Sequence, residues 1–187
     1  MFTYSRNKKM IINRPATFSL IKTYFGVLKQ SQVDSFNLFF DQWDGKDKRH
    51  LAYILATVWH ETAKTMLPIE EIGKGITKPY GKTVSNGKRY YGRGHIQITW
   101  LSNYEKLTRV NSNGWDFVNK PELLLQKEPS IWAAFYGMKV GLFTSKKLSD
   151  YFNEDKSDPI NSRRIINGVD KAELICDYYN KFLNSIQ

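Results

Sequence analysis

The sequence of 187 residues is poor in cysteine, with Cys176 alone, so no disulfide can form within the chain. It also has no apolar run that approaches the roughly 20 residues of a membrane-spanning helix. The basic N-terminal stretch, residues 1–14, contains an apolar segment too short for a signal peptide. These absences favour a chain that folds in a reducing compartment and needs another exit route for any action outside it.

Acidic residues are the next deficit, with 18 Asp and Glu against 28 Lys and Arg and a formal net charge of +10. Residues 72–104 contain six of the 12 glycines and six basic residues but no Asp or Glu. This balance favours a polyanionic partner, such as nucleic acid, an acidic membrane face or an anionic cell-wall polymer. Hydrophobic residues make up 41% of the chain, enough for a core, which excludes a wholly disordered protein.

Helical periodicity dominates the rest of the sequence. Residues 51–59 are apolar on nearly all sides, which predicts a helix buried at the centre of the domain. Further helices are predicted over 129–141 and 171–186. The Asn86-Gly87 pair predicts a β-hairpin over residues 83–90. Because there is no repeat or linker, we expect one mainly helical α+β domain over residues 1–187.

Three sequence motifs that would indicate other kinds of site are incomplete or missing. Gly81-Lys82-Thr83 resembles the end of a phosphate-binding loop, but Ile76 stands where its first glycine should be. His60-Glu61 opens like a zinc-protease helix, but the second histidine position holds Lys64. The chain also lacks a Gly-x-Ser-x-Gly elbow. With three scattered histidines and one cysteine, we expect no metal and no organic cofactor.

A pair of carboxylate positions survives this elimination. Glu61 ends the apolar helix, where desolvation would raise its pKa and keep it protonated, unless it simply caps the helix or forms a salt bridge. Glu70 and Glu71 follow Pro68, which breaks the helix; on one continuous helix they would lie ~14 Å along the axis from Glu61. The break lets a second carboxylate approach the first across a cleft. Two carboxyl groups of unlike pKa in a cleft are what glycoside hydrolysis requires.

Residues suited to sugar binding follow these carboxylates in the chain. Aromatic rings can stack on sugar rings, and amides can bind hydroxyl groups. The candidates are Tyr90, Tyr91, Gln97, Trp100, Asn103 and Tyr104. Core packing is the alternative for the aromatic residues; it is favoured for Trp100 and open for Tyr90.

Three motifs in the expected order resemble glycoside hydrolase family 19, which comprises chitinases and lysozyme-like endolysins of bacteriophages. The motifs are Trp59-His60-Glu61-Thr62 within residues 56–71, Tyr91-Gly92-Arg93-Gly94 within residues 90–104, and Arg163-Arg164-Ile165-Ile166-Asn167-Gly168. The second is similar to the family's Tyr-Gly-Arg-Gly-x-x-Gln-[Leu/Ile]-[Thr/Ser] stretch. The likeness runs from about residue 20 to the end. It implies a lysozyme-like fold, mainly α, with a small β-ribbon lining a substrate cleft.

The resemblance also implies roles for individual residues. Glu61 is similar to the general acid, and Thr99 to the residue that helps to hold the attacking water. The general base is Glu71 if the phage-type Pro-[Val/Ile]-x-Glu pattern applies, which we prefer narrowly, or Glu70 if the spacing is nine residues. The substrate-binding candidates are His60, Thr62, Tyr91, Gln97, Asn103, Tyr104 and Asn167. Scaffolding is the preferred role for Tyr91, Arg93 and Arg164, and Arg93 could pair a buried acid.

The implied activity is that of an inverting glycosidase, with the two carboxyl groups roughly 6.5–9.5 Å apart so that a water molecule fits between them. We expect peptidoglycan as the substrate, with chitin as the alternative, because both contain β-1,4-linked N-acetylglucosamine. The charge, the lack of an added chitin-binding module and the lack of an export signal favour a monomeric phage endolysin. Such a protein waits in the cytoplasm, without stable membrane insertion, until a holin opens the membrane.

Two rivals remain at this point. A basic nucleic-acid-binding domain would use residues 72–104 as its contact surface, but it leaves Glu61 and the three motifs unexplained. A catalytically inactive, sugar-binding relative is the other alternative, and the retained carboxylates argue against it.

Overall fold

The computed structural model describes residues 10–187; residues 1–9 of the basic N-terminal stretch lie outside the described part. The helices are α1 (Arg14–Phe25), α2 (Gln30–Gln42), α3 (Lys48–Glu61), α4 (Leu101–Val110), α5 (Lys127–Val140) and α6 (Ala172–Ser185). Strands β1 (Ile69–Glu70) and β2 (Arg93–Gly94) pair as a two-stranded antiparallel sheet. The predicted fold class, mainly helical with a small β-ribbon, is confirmed.

Helix α3 forms the centre of the core, as its all-round apolar sequence predicts. Every residue from 51 to 59 is buried, and α6 packs along the helix. Near its C-terminal end, Trp59 contacts Phe25 of α1 and Phe182 of α6, with ring centroids 4.9 and 6.0 Å away. A helix enclosed in this way has little freedom to shift, so the residue that ends it, Glu61, is held at a defined place.

The β-ribbon is not where the hairpin pattern predicted it. The Asn86-Gly87 turn does form, with Gly87 at φ 76° and the Val84 N–H donating to the Lys88 carbonyl at 3.0 Å. No strand flanks it among the described residues, and residues 85–88 are exposed. A two-stranded hairpin needs an apolar face to be stable, and this segment offers little beyond Val84. The prediction of a hairpin over 83–90 is therefore wrong.

A buried histidine ties the ribbon to the helices. The Nε2 atom of His95 lies 3.2 Å from the Met66 carbonyl oxygen, and Nδ1 lies 2.8 Å from Ser130 Oγ on α5. Burial lowers the pKa of His95 to about 4, so the ring is neutral. The neutral tautomer that donates from Nε2 and accepts at Nδ1 satisfies both partners. His95 thus joins the loop after α3, the segment after β2 and α5.

Acid should destabilise the protein through His95. Because the pKa of His95 is lowered in the folded protein, the imidazole binds a proton in the unfolded chain at pH values where it stays neutral in the folded one. The free energy of unfolding therefore falls as the pH drops from about 6.5 towards 4. The free energy of unfolding should be about 2 kcal/mol lower at pH 5 than at pH 7.5 on account of this residue. Urea unfolding at both pH values should show a smaller difference for His95→Gln. An equal difference in the variant would contradict the assignment.

Candidate active site

Glu61, the last residue of α3, forms an ion pair with a distant part of the chain. Its Oε1 accepts a hydrogen bond of 2.7 Å from Nη1 of Arg163, 102 residues later. The Glu61 side chain is 18% exposed and that of Arg163 only 3%. The salt bridge that the sequence left open as an alternative for Glu61 forms, with a partner that the sequence did not identify.

Arg163 is itself fixed by its local backbone. It lies in a short 3-10 helix, Asn161–Ile165, and its Nε donates to the Asp170 carbonyl oxygen at 3.0 Å. Its own carbonyl oxygen accepts the N–H of Asn167 at 3.0 Å. The Arg163-Arg164 doublet in the third motif was the available signal. The sequence did not reveal which arginine points inward, and the structure leaves Arg164 exposed.

The residues on either side of Glu61 differ in accessibility. Thr62 is fully buried; its hydroxyl donates to the Val58 carbonyl oxygen at 2.7 Å and accepts the Met66 N–H at 3.0 Å. Thr62 therefore shapes the turn that follows the general-acid candidate, and its hydroxyl is not available to a sugar. His60 is half-buried, and this burial lowers its pKa.

Glu70 lies in β1, opposite Arg93 of β2. One carboxylate oxygen accepts a hydrogen bond from the Tyr91 hydroxyl, and the other lies 3.3 Å from Lys74 Nζ. The hydrogen bond from Tyr91 is the largest cause of a lowered pKa, and Lys74 adds to it, so Glu70 is ionised at neutral pH. Its side chain is 33% exposed, which leaves it open to water.

Both carboxylate oxygens of Glu71 accept hydrogen bonds from residues near it in the ribbon. Its Oε1 accepts from the Tyr80 hydroxyl and its Oε2 from the Gly92 N–H, both at 2.9 Å. A Cβ atom at Gly92 would lie 2.7 Å from Gln97 Oε1 and 3.2 Å from Glu71 Cβ, so only glycine allows this approach. Consecutive residues of an extended chain point to opposite faces, so Glu70 and Glu71 cannot serve the same side of the ribbon.

The ribbon is stabilised by contacts among Tyr91, Arg93 and Tyr104. The Arg93 guanidinium lies 3.6 Å from the centre of the Tyr91 ring, and its Nη1 donates to the Tyr104 hydroxyl at 3.2 Å. Tyr104 is fully buried, and burial raises its pKa to about 12. The assignment of Tyr104 as a sugar contact is therefore corrected to a core role. Among the described contacts Arg93 pairs with no acid, and Tyr91 reaches the site through Glu70.

The segment after β2 carries the polar candidates. Gln97 donates from Nε2 to the Ile69 carbonyl oxygen at 3.0 Å, and Asn103 donates from Nδ2 to the Thr99 carbonyl oxygen at 2.9 Å. All three candidates here, Gln97, Thr99 and Asn103, are half-buried. Asn167 is exposed, and its side-chain oxygen accepts the Gly168 N–H at 2.9 Å.

Two aromatic residues contradict the expected packing. Core packing was favoured for Trp100, yet its side chain is 48% exposed, so that interpretation is wrong. Tyr90 is buried, with its hydroxyl donating to the Val118 carbonyl oxygen at 2.8 Å, and belongs to the core.

Two sizeable cavities lie away from these residues. Cavities of about 480 and 460 Å³ lie against α2 and α5, with Trp132 and Gln42 in the walls of both. None of the candidate site residues lines either cavity. Within residues 10–187 no group of three or more His, Cys, Asp and Glu side chains could hold a metal ion. No helix in the same range is long and apolar enough to cross a membrane.

Known proteins resemble this chain both in sequence and in fold. The family described as Chitinase class I, glycoside hydrolase family 19, matches residues 73–137. An endochitinase of Arabidopsis thaliana is 32% identical over 120 residues, which are 61% of this chain and 43% of that protein. An acidic endochitinase of Solanum chilense is 44% identical over 43 residues, 23% of this chain and 17% of that protein. The chain thus spans less than half the length of these curated relatives.

Solved structures share the fold over most of the chain. Chitinase C from Streptomyces griseus aligns with a TM-score of 0.58 at 16% identity, over 96% of this chain and 94% of that one. A class IV chitinase of the same family from Zea mays aligns with a TM-score of 0.54 at 19% identity, over 85% and 81%. The resemblance to glycoside hydrolase family 19 is confirmed: residues 73–137 match the family in sequence, and the chain has its fold.

Arg163, through its ion pair with Glu61, should contribute more to the free energy of unfolding than the exposed Arg164 beside it. Arg163→Met leaves Glu61 without its partner and should lower the free energy of unfolding by about 3 kcal/mol, because a largely buried carboxylate is then uncompensated. Arg164→Met, next to it but exposed, should change it by less than about 0.5 kcal/mol. Urea unfolding of both variants measures this. Equal effects would show that the pair contributes no special stability.

Proposed function

We propose that this protein is a glycosidase that hydrolyses β-1,4 bonds between N-acetylglucosamine units by a single displacement with inversion. The observation that carries the proposal is that two glutamates at the positions of the family 19 motif differ in their surroundings. One is Glu61, fixed at the end of a buried helix, and the other is Glu70, ionised and partly exposed on the ribbon. Inverting glycosidases use one carboxyl group as acid and one as base.

Glu61 is the proposed general acid. Arg163 holds Oε1 by a hydrogen bond of 2.7 Å, which leaves Oε2 to carry the proton. As the proton passes to the glycosidic oxygen, the carboxylate that forms lies against the guanidinium and is stabilised by it. Arg163 is thus a positioning residue for the acid.

Glu70 is the better supported general base, in place of the narrowly preferred Glu71. A base must be ionised and must have an oxygen that can take a proton from water. Glu70 meets both conditions: Tyr91 and Lys74 hold its pKa low, and its Oε2 is paired with the solvent-exposed Lys74 ammonium at 3.3 Å, a contact that water can replace. In Glu71 both oxygens accept hydrogen bonds of 2.9 Å within the ribbon, one of them from the backbone N–H of Gly92, which supports a structural role. Thr99 remains the proposed partner of the attacking water.

Chitin is the substrate that the relatives support better than peptidoglycan. Curated proteins similar in sequence are named endochitinases, and solved structures that share the fold are named chitinases. Support for peptidoglycan comes from the net charge of +10, which suits an anionic wall. The endolysin role, release through a holin and the monomeric state stay predictions.

Hydrolysis of N-acetylchitohexaose, followed by proton NMR, tests the activity and its stereochemistry. The first products should carry the α-anomer at the new reducing end, because a single displacement inverts the β-bond. Glu61→Gln should lower the rate by about 10²- to 10⁴-fold, the usual contribution of a general acid. Glu105→Gln, an exposed glutamate on α4, is the matched control and should keep the parent rate.

Three outcomes contradict parts of this proposal. Products with the β-anomer would exclude single displacement. A Glu61→Gln rate close to the parent's would exclude Glu61 as the acid. Lysis of permeabilised Gram-negative cells without cleavage of N-acetylchitohexaose would make peptidoglycan the substrate instead of chitin.

The choice between Glu70 and Glu71 can be tested through the tyrosines that bind them. Tyr91→Phe removes the hydrogen bond that stabilises ionised Glu70, so the pKa of that carboxyl group rises. If Glu70 is the base, the acidic limb of the kcat/KM profile should move to higher pH, because more alkaline solution is needed to ionise it. Tyr80→Phe, which acts on Glu71, should leave that limb in place. The reverse pattern would assign the base to Glu71.

A further inference from the structure

Trp100 presents an indole ring to solvent beside the candidate carboxylates. Its side chain is 48% exposed, whereas Trp43 and Trp59 are 3% and 4% exposed. Its ring packs edge-on against Tyr80, with centroids 5.6 Å apart, and the Tyr80 hydroxyl binds Glu71. The same short segment carries Gln97, Thr99 and Asn103. An exposed aromatic ring is therefore built into the segment after β2, next to the Tyr80 side chain that binds Glu71.

The backbone at Trp100 adopts a conformation that a bulky residue rarely takes. Its φ is 69° and its ψ 129°, a combination outside the left-handed helical region and typical of glycine. Hydrogen bonds hold it there: the Trp100 N–H donates to the Tyr90 carbonyl oxygen at 2.9 Å, and the Trp100 carbonyl oxygen accepts the Asn103 N–H at 3.0 Å. Such strain persists where the surroundings impose it, and it clusters at ligand-binding sites.

Local stability does not account for this tryptophan. Glycine would relieve the backbone, and almost half of the indole surface contacts nothing in the described part of the protein. The strained conformation points a flat apolar surface outward, beside the Tyr80 ring. A neutral pyranose ring, with an apolar C–H face and polar edges, is the ligand that fits a ring placed beside half-buried amide and hydroxyl side chains.

We propose that Trp100 is a sugar-binding platform of the substrate cleft, on which one pyranose ring of an N-acetylglucosamine polymer stacks. The assignment rests on the proposed function, because it takes the polymer as the ligand. It adds a subsite on the Glu71 side of the ribbon, where Tyr80 packs against the indole and the strained turn fixes its direction. Trp100 contributes affinity and register of the chain, and it moves no proton.

Binding is tested in the Glu61→Gln background, in which turnover is suppressed. Calorimetric titration with N-acetylchitohexaose should show about tenfold weaker binding when Trp100→Ala is added, because the stacking surface is lost. Trp100→Phe should retain more of the affinity than Trp100→Ala. Val140→Ala, which truncates a side chain of similar exposure at the end of α5, should leave the affinity unchanged.

Thermal unfolding tests the strain independently of any ligand. Trp100→Gly should unfold at a higher temperature than Trp100→Ala, because glycine accepts this backbone conformation without strain. The matched pair Val140→Gly and Val140→Ala should show the opposite order, since glycine is unfavourable in a helix.

Each result has a defined consequence. Unchanged binding by the Trp100→Ala protein, in a background that binds the hexasaccharide, overturns the platform and leaves the proposed function standing. Absence of any hexasaccharide binding by the Glu61→Gln background overturns both. Trp100→Gly less stable than Trp100→Ala would show that the backbone carries no strain at this position, and would overturn the argument that the indole is held outward at a local cost.

Discussion

The ion pair between Glu61 and Arg163 is the contact on which the candidate site depends. It joins the end of the central helix to a segment 102 residues later, and its arginine is almost completely buried. A guanidinium in that position is costly without a partner, so the two segments are held together by the need to keep both charges compensated. Glu61 is therefore fixed from both sides, by the packing of α3 and by Arg163.

A second set of contacts holds the ribbon at the end of α3. His95 binds the loop after the helix and α5 at once, and Gly92 lets Glu71 reach the neighbouring strand. In these contacts buried polar groups are paired with each other, as buried groups must be. Thr62 and Tyr104 belong to the same framework, which explains why residues that resemble site positions are closed to a ligand.

The accessible groups lie on this framework. Glu70, Asn103, Asn167 and Trp100 keep part of their surface in solvent, and each is carried by a backbone that other residues fix. The fold shared with chitinases at 16–19% identity supplies the scaffold, but a fold alone does not define an activity. The proposed function therefore depends on the chemistry of Glu61 and Glu70 within that scaffold.

Much of the helical architecture could be predicted from the sequence. Residues 51–59 are apolar on all sides, and a helix of that kind can only be buried, while α6 begins and ends within a residue of its predicted bounds. The ribbon could not be predicted, because Ile69–Glu70 and Arg93–Gly94 carry no local pattern that pairs them. The Asn-Gly turn, a strong local signal, formed without strands because nothing packs beneath it.

The sequence alone determined the carboxylates and the motifs around them, since these are properties of residue type and spacing along the chain. Only the tertiary structure decided that Arg163 and not Arg164 holds Glu61, that both oxygens of Glu71 are hydrogen-bonded within the ribbon while Glu70 is 33% exposed, and that Trp100 faces solvent. These outcomes depend on contacts between residues far apart in the chain and on which side of the backbone each side chain leaves. Local patterns do not encode either property.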